Sequence, residues 1–260
     1  MAKNIWHSFL LTWQFFTSIP IKKELPLSKS TITGMFAFLP LIGACMGAFV
    51  ALVLYILTTW TASSELLLAF LIVGLFAFLT GGLHLDGFID MSDAFFSYRE
   101  QEKRLAILDD PRVGAFGVLA VLFLVLGKLV IIHELLIQQQ FALWMVILLP
   151  FLTRLGMIFY FLSLKCSRDK GLAAFFKAHI LPNHLIAWLF VLVIIVYSVL
   201  YTIIGLSYVP ALLLLVVVMV FWLFRQFTIR HFGGVSGDLL GASIEGMEAV
   251  LWVILLLCTY

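Results

Sequence analysis

Charge is what this sequence has least of. Its 260 residues include 16 lysines and arginines and 14 aspartates and glutamates, which is 12% of the chain, whereas 63% of the residues are hydrophobic. An average soluble domain has about 25% charged residues, so this composition excludes a soluble globular protein. It also excludes a disordered chain, because disorder requires low hydrophobicity and high net charge. A net charge of +2 cannot supply the concentrated basic surface of a nucleic-acid-binding protein.

Cysteine is scarce as well. Cys45, Cys166 and Cys258 are the three cysteines of the chain. They are too few and too widely separated to form a disulfide framework or a cysteine metal site. We therefore interpret them as packing residues.

Long apolar runs, by contrast, fill most of the chain. A helix needs about 20 apolar residues to cross a hydrocarbon core of about 30 Å. The sequence has seven runs of this kind, at residues 35–59, 65–83, 113–136, 141–164, 184–206, 208–227 and 239–258. They predict an all-α, polytopic integral membrane protein with about seven transmembrane helices. Since they leave no room for a separate soluble domain, residues 1–260 are expected to form a single integral membrane domain.

The distribution of lysine and arginine predicts the orientation in the membrane. Fourteen of the sixteen lie before the first apolar run or near every second connection after it, and the exceptions, Lys128 and Arg154, lie inside apolar runs. Because cytoplasmic connections carry the excess of positive charge, the N-terminus is expected in the cytoplasm and the C-terminus outside. Most acidic residues fall on the same side, so we expect any chemistry to face the cytoplasm.

Residues 1–20 are expected to form a short amphipathic helix that lies in the membrane interface. Aromatic and aliphatic residues recur at helical spacing, and Pro20 is expected to end the helix. The residues predicted to face lipid are Trp6, Phe9, Leu10, Trp13 and Phe16.

The clearest candidate for a chemical site is the segment GGLHLDGFIDMSD at residues 81–93, which opens a cytoplasmic acidic and basic loop predicted over residues 84–112. Asp86, Asp90 and Asp93 are spaced so that they share one face if the segment is helical. Like charges this close repel one another unless a cation lies among them. Mg²⁺ is commonly held by one or two carboxylates together with substrate phosphates.

These three aspartates are therefore predicted to be Mg²⁺ ligands and catalytic residues for a diphosphate substrate, with His84 beside them at the substrate. The competing interpretation is that they form only the solvated face of a loop.

A second candidate cluster begins with Asp238 and continues into the last apolar run with Glu245 and Glu248, all on one helical stripe. Carboxylates inside a membrane are costly, which makes them functional candidates. The alternative is a polar seam of small residues that packs helices together.

The glycines before this cluster, Gly233 and Gly234, allow a close approach of the backbone to a substrate phosphate. Arg112 is predicted to bind a phosphate bidentately, and the alternative is an anchor to lipid headgroups. Arg154 is predicted to contact the substrate, against a packing or snorkelling role.

Four segments, in order, closely resemble the signature of the cobalamin synthase family, also called the adenosylcobinamide-GDP ribazoletransferase family. They are QFFTSIP at 14–20, GGLHLDGFIDMSD at 81–93, RLAILDDPRVGAFG at 104–117, and GGVSGDLLGA at 233–242 with Glu245 and Glu248. The resemblance covers essentially the whole chain. Two positions depart from the family pattern: Ser18 replaces the usual arginine, and Ala94 replaces a common glycine.

The resemblance implies an enzyme of the late steps of cobalamin biosynthesis in a bacterial or archaeal cytoplasmic membrane. A hydroxyl of α-ribazole, or of α-ribazole 5′-phosphate, attacks the cobinamide-linked phosphorus of adenosylcobinamide-GDP in the presence of Mg²⁺. GMP leaves, and adenosylcobalamin or its 5′-phosphate forms. In this reading Asp86 and Asp90 hold Mg²⁺, and Asp93 completes the site or orients the ribazole hydroxyl. The residues expected to close the site are Arg112, Asp238, Glu245 and Glu248.

The residues alone leave other functions open. A CDP-alcohol phosphotransferase or an intramembrane prenyltransferase also uses aspartate clusters on diphosphate substrates. A transporter is a third possibility, since it places charges near the bilayer midplane.

Overall fold

The computed structural model describes residues 2–97, 100–205 and 207–258. These residues form eleven helices and no strand beyond one isolated bridge. The helices are α1 (Ala2–Phe16), α2 (Lys29–Trp60), α3 (Glu65–Leu79), α4 (Leu83–Phe96), α5 (Gln101–Leu108), α6 (Ala115–Ile137), α7 (Leu143–Ser163), α8 (Leu172–His179), α9 (Pro182–Ile204), α10 (Val209–Phe232) and α11 (Gly237–Cys258). The prediction of an all-α protein is confirmed.

Six of these helices are long and apolar enough to cross a membrane: α2, α6, α7, α9, α10 and α11. Together α3 and α4 make a seventh candidate, although a bend of 90° separates them. The prediction of a polytopic membrane protein with about seven spans is thus confirmed, and most of each predicted apolar run is helical.

The bend between α3 and α4 shortens the second predicted run. Helix α3 ends at Leu79, and its 15 residues rise about 22 Å, less than a full hydrocarbon core. Gly81 and Gly82 follow with φ angles of 63° and 75°, a backbone region that glycine enters without steric cost. The chain therefore turns sharply, and the aspartate segment forms a separate helix across the end of α3.

Helix α7 lies at the centre of the bundle. In the most apolar 18-residue stretch of α7, 83% is buried inside the protein. The corresponding share is 17% for α6 and for α9, so most of the apolar surface of these two helices is left for lipid. Gly43 of α2 faces Pro150 of α7, and Gly47 faces Val146, so the two helices run antiparallel. The N-terminal end of α2 and the C-terminal end of α7 consequently lie on the same side of the bundle.

Helix α1 packs along α2. Leu11 and Thr12 are buried, and the Thr12 hydroxyl donates a hydrogen bond to the Met35 carbonyl at 3.0 Å. Trp6 on the opposite face is 55% exposed. Phe16 is half-buried and packs edge-on against Phe36, so the C-terminal end of α1 reaches the interior of the bundle.

Helices α4 and α11 cross with their backbones in contact. A Cβ atom added to Gly87 would lie 2.5 Å from the backbone oxygen of Asp238, and one added to Gly241 would lie 3.2 Å from His84. Only glycine permits so close a crossing at Gly87. The crossing brings the first turns of α4 and α11 together, with Asp86 on one helix and Asp238 on the other.

A short clamp brings a third segment to this crossing. The Val235 amide donates to the Lys165 carbonyl, and the Ser167 amide donates to the Val235 carbonyl, both at 2.9 Å. The connection between α7 and α8 is therefore fixed against the residues that precede α11.

Candidate active site

Three aspartates gather where α4 crosses α11. Asp86 is exposed on the first turn of α4, Asp90 is half-buried one turn later, and Asp238 is half-buried at the start of α11. The charges of Asp86, Asp238 and Asp93 all repel a charge on Asp90. Within residues 2–97, 100–205 and 207–258, no lysine or arginine forms an ion pair with Asp86, Asp90 or Asp238. The carboxylates are thus close together, and the described residues give none of them an ion-pair partner, although the charge of Arg168 acts on Asp238.

Asp93 differs from the other aspartates of α4. Its side chain is buried, and its two carboxylate oxygens accept hydrogen bonds from the amides of Gly114, at 2.6 Å, and Gly117, at 2.8 Å. These amides belong to the first turn of α6 and the residue before it, where a negative charge is stabilised by the helix dipole. Asp93 therefore fastens α4 to the start of α6. Its predicted role as a ligand stays a prediction, and both of its oxygens already have partners.

The donor set suits a cation that is shared with a substrate. Among the residues that the structure describes, no group of three histidine, cysteine, aspartate or glutamate side chains is arranged as a preformed metal site. Mg²⁺ needs less, because one or two carboxylates hold it while waters and substrate phosphates complete its octahedron. The unneutralised carboxylates of Asp86 and Asp90 fit that requirement.

A cavity of about 280 Å³ lies on one side of Asp238, and we call it the polar cavity. Its polar side chains include Arg168 and Lys170 from the clamped connection and Asp109 at the end of α5. Arg168 pairs with Asp109 and also donates to the Leu105 carbonyl. The first turn of α8 and the N-terminus of α11 complete the wall.

A second cavity, of about 240 Å³, adjoins the polar cavity at Asp238, and we call it the aromatic cavity. Asp86, His84 and Asp238 supply its polar side chains. Four phenylalanines face them: Phe15, Phe16, Phe36 and Phe176. The two cavities share Leu172, Ala173, Gly237 and Asp238, so Asp238 can reach a group bound in either one.

His84 lines the aromatic cavity without a hydrogen-bond partner for its Nε2 atom. The residue is 3% exposed, and Nε2 is buried and unbonded within the described chain. The positive charges of Arg154 and Lys128 are its strongest electrostatic neighbours. His84 therefore stands between the cavity and a deeper charged cluster.

The deeper cluster contains three of the predicted substrate-binding residues, but it lies inside the bundle. Lys128 of α6 pairs with Glu245 at 2.6 Å and with Glu248 at 3.4 Å, and all three side chains are almost fully buried. Arg154 of α7 is buried and electrostatically coupled to both glutamates. The structure brings these residues to one another rather than to the aspartates. Glu245, Glu248 and Lys128 instead line a separate, largely apolar cavity of about 450 Å³ against α3 and α6.

Arg112 lies outside both cavities. Its side chain is 87% exposed and binds Asp110 through Nε, at 2.9 Å, and through Nη2, at 2.6 Å. Hydrogen bonds from the Arg112 side chain and backbone lower the pKa of Asp110 to about 2. In this conformation the guanidinium is engaged within its own turn.

Gly233 and Gly234 form the turn between α10 and α11. Gly233 ends α10 with a φ angle of 69°, and Gly234 lies against the backbone of Cys166. Neither glycine lines the two cavities. A direct contact between them and a substrate stays a prediction.

Two sets of residues escaped the sequence-based prediction. The four phenylalanines of the aromatic cavity come from α1, α2 and α8. In a sequence this apolar, nothing distinguishes a phenylalanine that lines a cavity from one that packs in the core. The sequence alone also gives no reason to place Arg168 and Lys170 in a site, because their approach to Asp238 depends on the backbone hydrogen bonds at Val235.

Comparison with known proteins agrees with the resemblance of the four motifs. The model of a family described as cobalamin-5-phosphate synthase matches residues 8–256. A protein from Geobacillus sp. (strain WCH70), named adenosylcobinamide-GDP ribazoletransferase, is 35% identical and aligns over 96% of this chain and 95% of its own. Proteins of the same name from Geobacillus kaustophilus (strain HTA426) and Clostridium tetani (strain Massachusetts / E88) are 35% and 34% identical, over 96% and 98% of this chain and 95% and 98% of their own. No solved structure matches the chain. From its helices, its motifs in order and this full-length similarity, the chain belongs to the cobalamin-5-phosphate synthase family.

Proposed function

We propose that this chain is a Mg²⁺-dependent transferase that joins adenosylcobinamide-GDP to α-ribazole or α-ribazole 5′-phosphate. The products are GMP and adenosylcobalamin or its 5′-phosphate. The names of full-length relatives supply the reaction, and the site supplies its chemical plausibility. The observation that carries the proposal is the position of Asp238, which is shared by two cavities and lies across from the unneutralised Asp86.

Asp86 and Asp90 are the residues that would hold Mg²⁺ against the diphosphate. When bound, Mg²⁺ neutralises phosphate charge and so makes the phosphorus more open to attack. Arg168 and Lys170 in the polar cavity add positive charge on the approach to Asp238, which this cavity shares with the cavity that Asp86 lines. Charge-assisted hydrogen bonds of this kind are stronger than neutral ones and orient a phosphate group.

Asp238 is the residue that we assign to the attacking hydroxyl. The ribazole oxygen forms a bond to the cobinamide-linked phosphorus, its proton passes to the Asp238 carboxylate, and the bond to the GMP oxygen breaks. General-base assistance by a positioned carboxylate contributes about 10²- to 10⁴-fold to a rate. The Ser236 hydroxyl, which lies 3.3 Å from Asp238 Oδ2, helps to orient that carboxylate.

The remaining predicted residues take supporting places in this scheme. Asp93 holds α4 at the start of α6, and His84 faces the aromatic cavity. Glu245 and Glu248 pair with Lys128 and so link α11 to α6 inside the bundle, where the charge of Arg154 from α7 acts on both glutamates. Arg112 lies on the loop before α6, two residues from Gly114, whose amide donates to Asp93, and its exposed side chain is proposed to leave Asp110 for a bound phosphate.

The site is proposed to face the cytoplasm from the inner membrane of a bacterium or archaeon. The first turns of α2 and α11 and the last turn of α7 end on one side of the bundle, and the connections on that side carry most of the lysines and arginines. Positive charge of this kind is retained in the cytoplasm.

The test is GMP release by the purified protein in detergent, with adenosylcobinamide-GDP, α-ribazole and a series of Mg²⁺ concentrations. Asp238→Asn is expected to lower the rate about 10²-fold or more. Asp86→Asn and Asp90→Asn are expected to raise the Mg²⁺ concentration needed for half-maximal rate at least about tenfold. Asp169→Asn is the matched control, because Asp169 is exposed and outside both cavities. Unchanged rates and Mg²⁺ dependence in all of the site variants, or no GMP from the wild type, would refute the proposal.

A further inference from the structure

The aromatic cavity has two chemically different walls. On one wall Phe36 packs edge-on against Phe16 and Phe176, with ring centroids 6.1 and 5.7 Å apart, and Phe15 packs edge-on against Phe176 at 5.3 Å. These contacts fix the rings before any ligand arrives. The other wall carries His84, Asp86 and Asp238. Ligand sites typically combine an apolar lining with a few placed polar groups, and this cavity has that composition.

The size of the cavity limits its occupant. An apolar cavity of about 150 Å³ accepts a benzene ring. At about 240 Å³ the aromatic cavity accepts a bicyclic aromatic ring, but it is far too small for a corrin macrocycle. The occupant is therefore a planar group of modest size with a hydrophobic face.

His84 supplies the second indication of a ligand. A buried polar atom without a partner costs free energy, so its persistence points to a partner that arrives with a ligand. Nε2 of His84 is such an atom in the described structure, and the residue lines this cavity. A ring nitrogen or a sugar hydroxyl of a bound nucleoside meets that need.

We infer that the aromatic cavity binds the planar aromatic base of the ribazole, with its rings against Phe16, Phe36 and Phe176. The inference rests on the proposed function, because that function supplies the nucleoside. With the base in this cavity, the ribose extends toward Asp238, the residue assigned to its hydroxyl, and the polar cavity stays free for phosphates. Phe16 and His84 are positioning residues for the nucleoside and take no part in the bond changes.

The first test is equilibrium binding of α-ribazole to the full-length protein in detergent, without Mg²⁺ or adenosylcobinamide-GDP, so that no turnover is involved. Phe16→Leu is expected to weaken binding about 5- to 100-fold, the range for loss of one contact between a base and an aromatic side chain. Phe159→Leu is the matched control, since Phe159 is also half-buried but lines a different, wholly apolar cavity between α7, α9 and α10. It is expected to bind normally.

The second test separates a role for His84 in binding from a role in folding. His84→Leu is expected to bind α-ribazole at least about tenfold more weakly, whereas His84→Gln, which keeps a donor and an acceptor, should recover most of the affinity. In the full reaction, Phe16→Leu and His84→Leu should raise the KM for α-ribazole and leave the KM for adenosylcobinamide-GDP unchanged.

The outcomes separate this inference from the proposed function. If the wild type releases GMP but Phe16→Leu and Phe159→Leu bind α-ribazole alike, the base lies elsewhere and the inference is overturned. An increase in the KM of both substrates together in Phe16→Leu would also overturn it. If the wild type binds α-ribazole in a manner that depends on Phe16 and yet releases no GMP, the reaction is wrong while the binding site stands.

Discussion

Asp86, Asp90 and Asp93 share a face of α4 and yet have different surroundings. Asp86 and Asp90 lie among other carboxylates without an ion-pair partner in the described chain, whereas Asp93 accepts two backbone hydrogen bonds from the start of α6. A folded protein tolerates the first arrangement at a cost, because the repulsion is relieved only when a cation binds or a carboxyl group takes up a proton. The second arrangement stabilises the fold by itself.

This difference predicts opposite effects on stability. Asp93→Asn removes the charge from the N-terminus of α6 and one of the two acceptors, so it should lower the free energy of unfolding by about 1.5–3 kcal/mol. Asp90→Asn removes repulsion and should leave that free energy unchanged or raise it. Thermal unfolding in detergent without Mg²⁺ measures both. Equal destabilisation by the two variants would contradict the division of roles.

The buried ion pair of Lys128 with Glu245 and Glu248 predicts a larger effect. Lys128→Met leaves two carboxylates inside the bundle facing the single positive charge of Arg154, and breaking a buried pair in this way costs about 3–5 kcal/mol. The double variant Lys128→Met with Glu245→Gln removes the excess carboxylate, leaves Glu248 opposite Arg154, and should recover much of that stability. If the single and double variants unfold at the same temperature, the ion pair is not what stabilises this part of the bundle.

At the scale of secondary-structure elements, the site depends on how closely α4 and α11 cross. Gly87→Ala would place a Cβ atom 2.5 Å from the backbone oxygen of Asp238, and a backbone atom cannot rotate away. The helices must separate, so Asp86 and Asp238 move apart. A displacement of about 1 Å at a reacting centre can cost about 10²-fold in rate. We therefore expect Gly87→Ala to lose about that much activity, as measured by GMP release.

Gly127→Ala provides the control for this prediction. Gly127 lies within α6, and nothing approaches within 4 Å of a Cβ atom there. Alanine also has the higher helix propensity, so activity and stability should be retained or improved. Loss of activity in both variants would mean that alanine is harmful to these helices in general rather than at the crossing.

The elements also show how far the sequence could predict this molecule. Apolar runs predicted every membrane-spanning helix, because hydrophobic length is a local property of the chain. The apolar runs did not predict the end of α3 at Leu79, because residues 65–83 form a single apolar run. The turn that separates α3 from α4 depends on the positive φ angles of Gly81 and Gly82. The spacing of Asp86, Asp90 and Asp93 predicted a common face. It could not predict that α6 would start beside Asp93, which is a contact between helices.

The aromatic cavity lay beyond sequence-based prediction for a related reason. Its phenylalanines come from α1, α2 and α8, which are far apart in the chain. In a sequence with 25 phenylalanines, periodicity indicates which of them are buried but not which face a cavity. Charged residues are few enough that their positions carry information, and so the carboxylates were found.

At the scale of the whole molecule, the two ends of the bundle differ in their charged residues. The end that holds α8, the connection from α7 and the start of α11 carries the aspartates and the basic residues of the polar cavity. The connection between α2 and α3, near Ala62, and the one between α6 and α7 lie at the other end and contain no lysine or arginine. Because translocating positive charge is disfavoured, the first end should remain in the cytoplasm.

Cysteine labelling tests this orientation directly. In a background without the three native cysteines, Ala62→Cys reports on the connection between α2 and α3, and Asp169→Cys reports on the connection between α7 and α8; both positions are exposed. In right-side-out spheroplasts, a membrane-impermeant maleimide should label Ala62→Cys at once and Asp169→Cys only after lysis. The reverse pattern would place the aspartates outside the cell, away from cytoplasmic Mg²⁺ and nucleotides, and would make the proposed reaction untenable even if the fold is right.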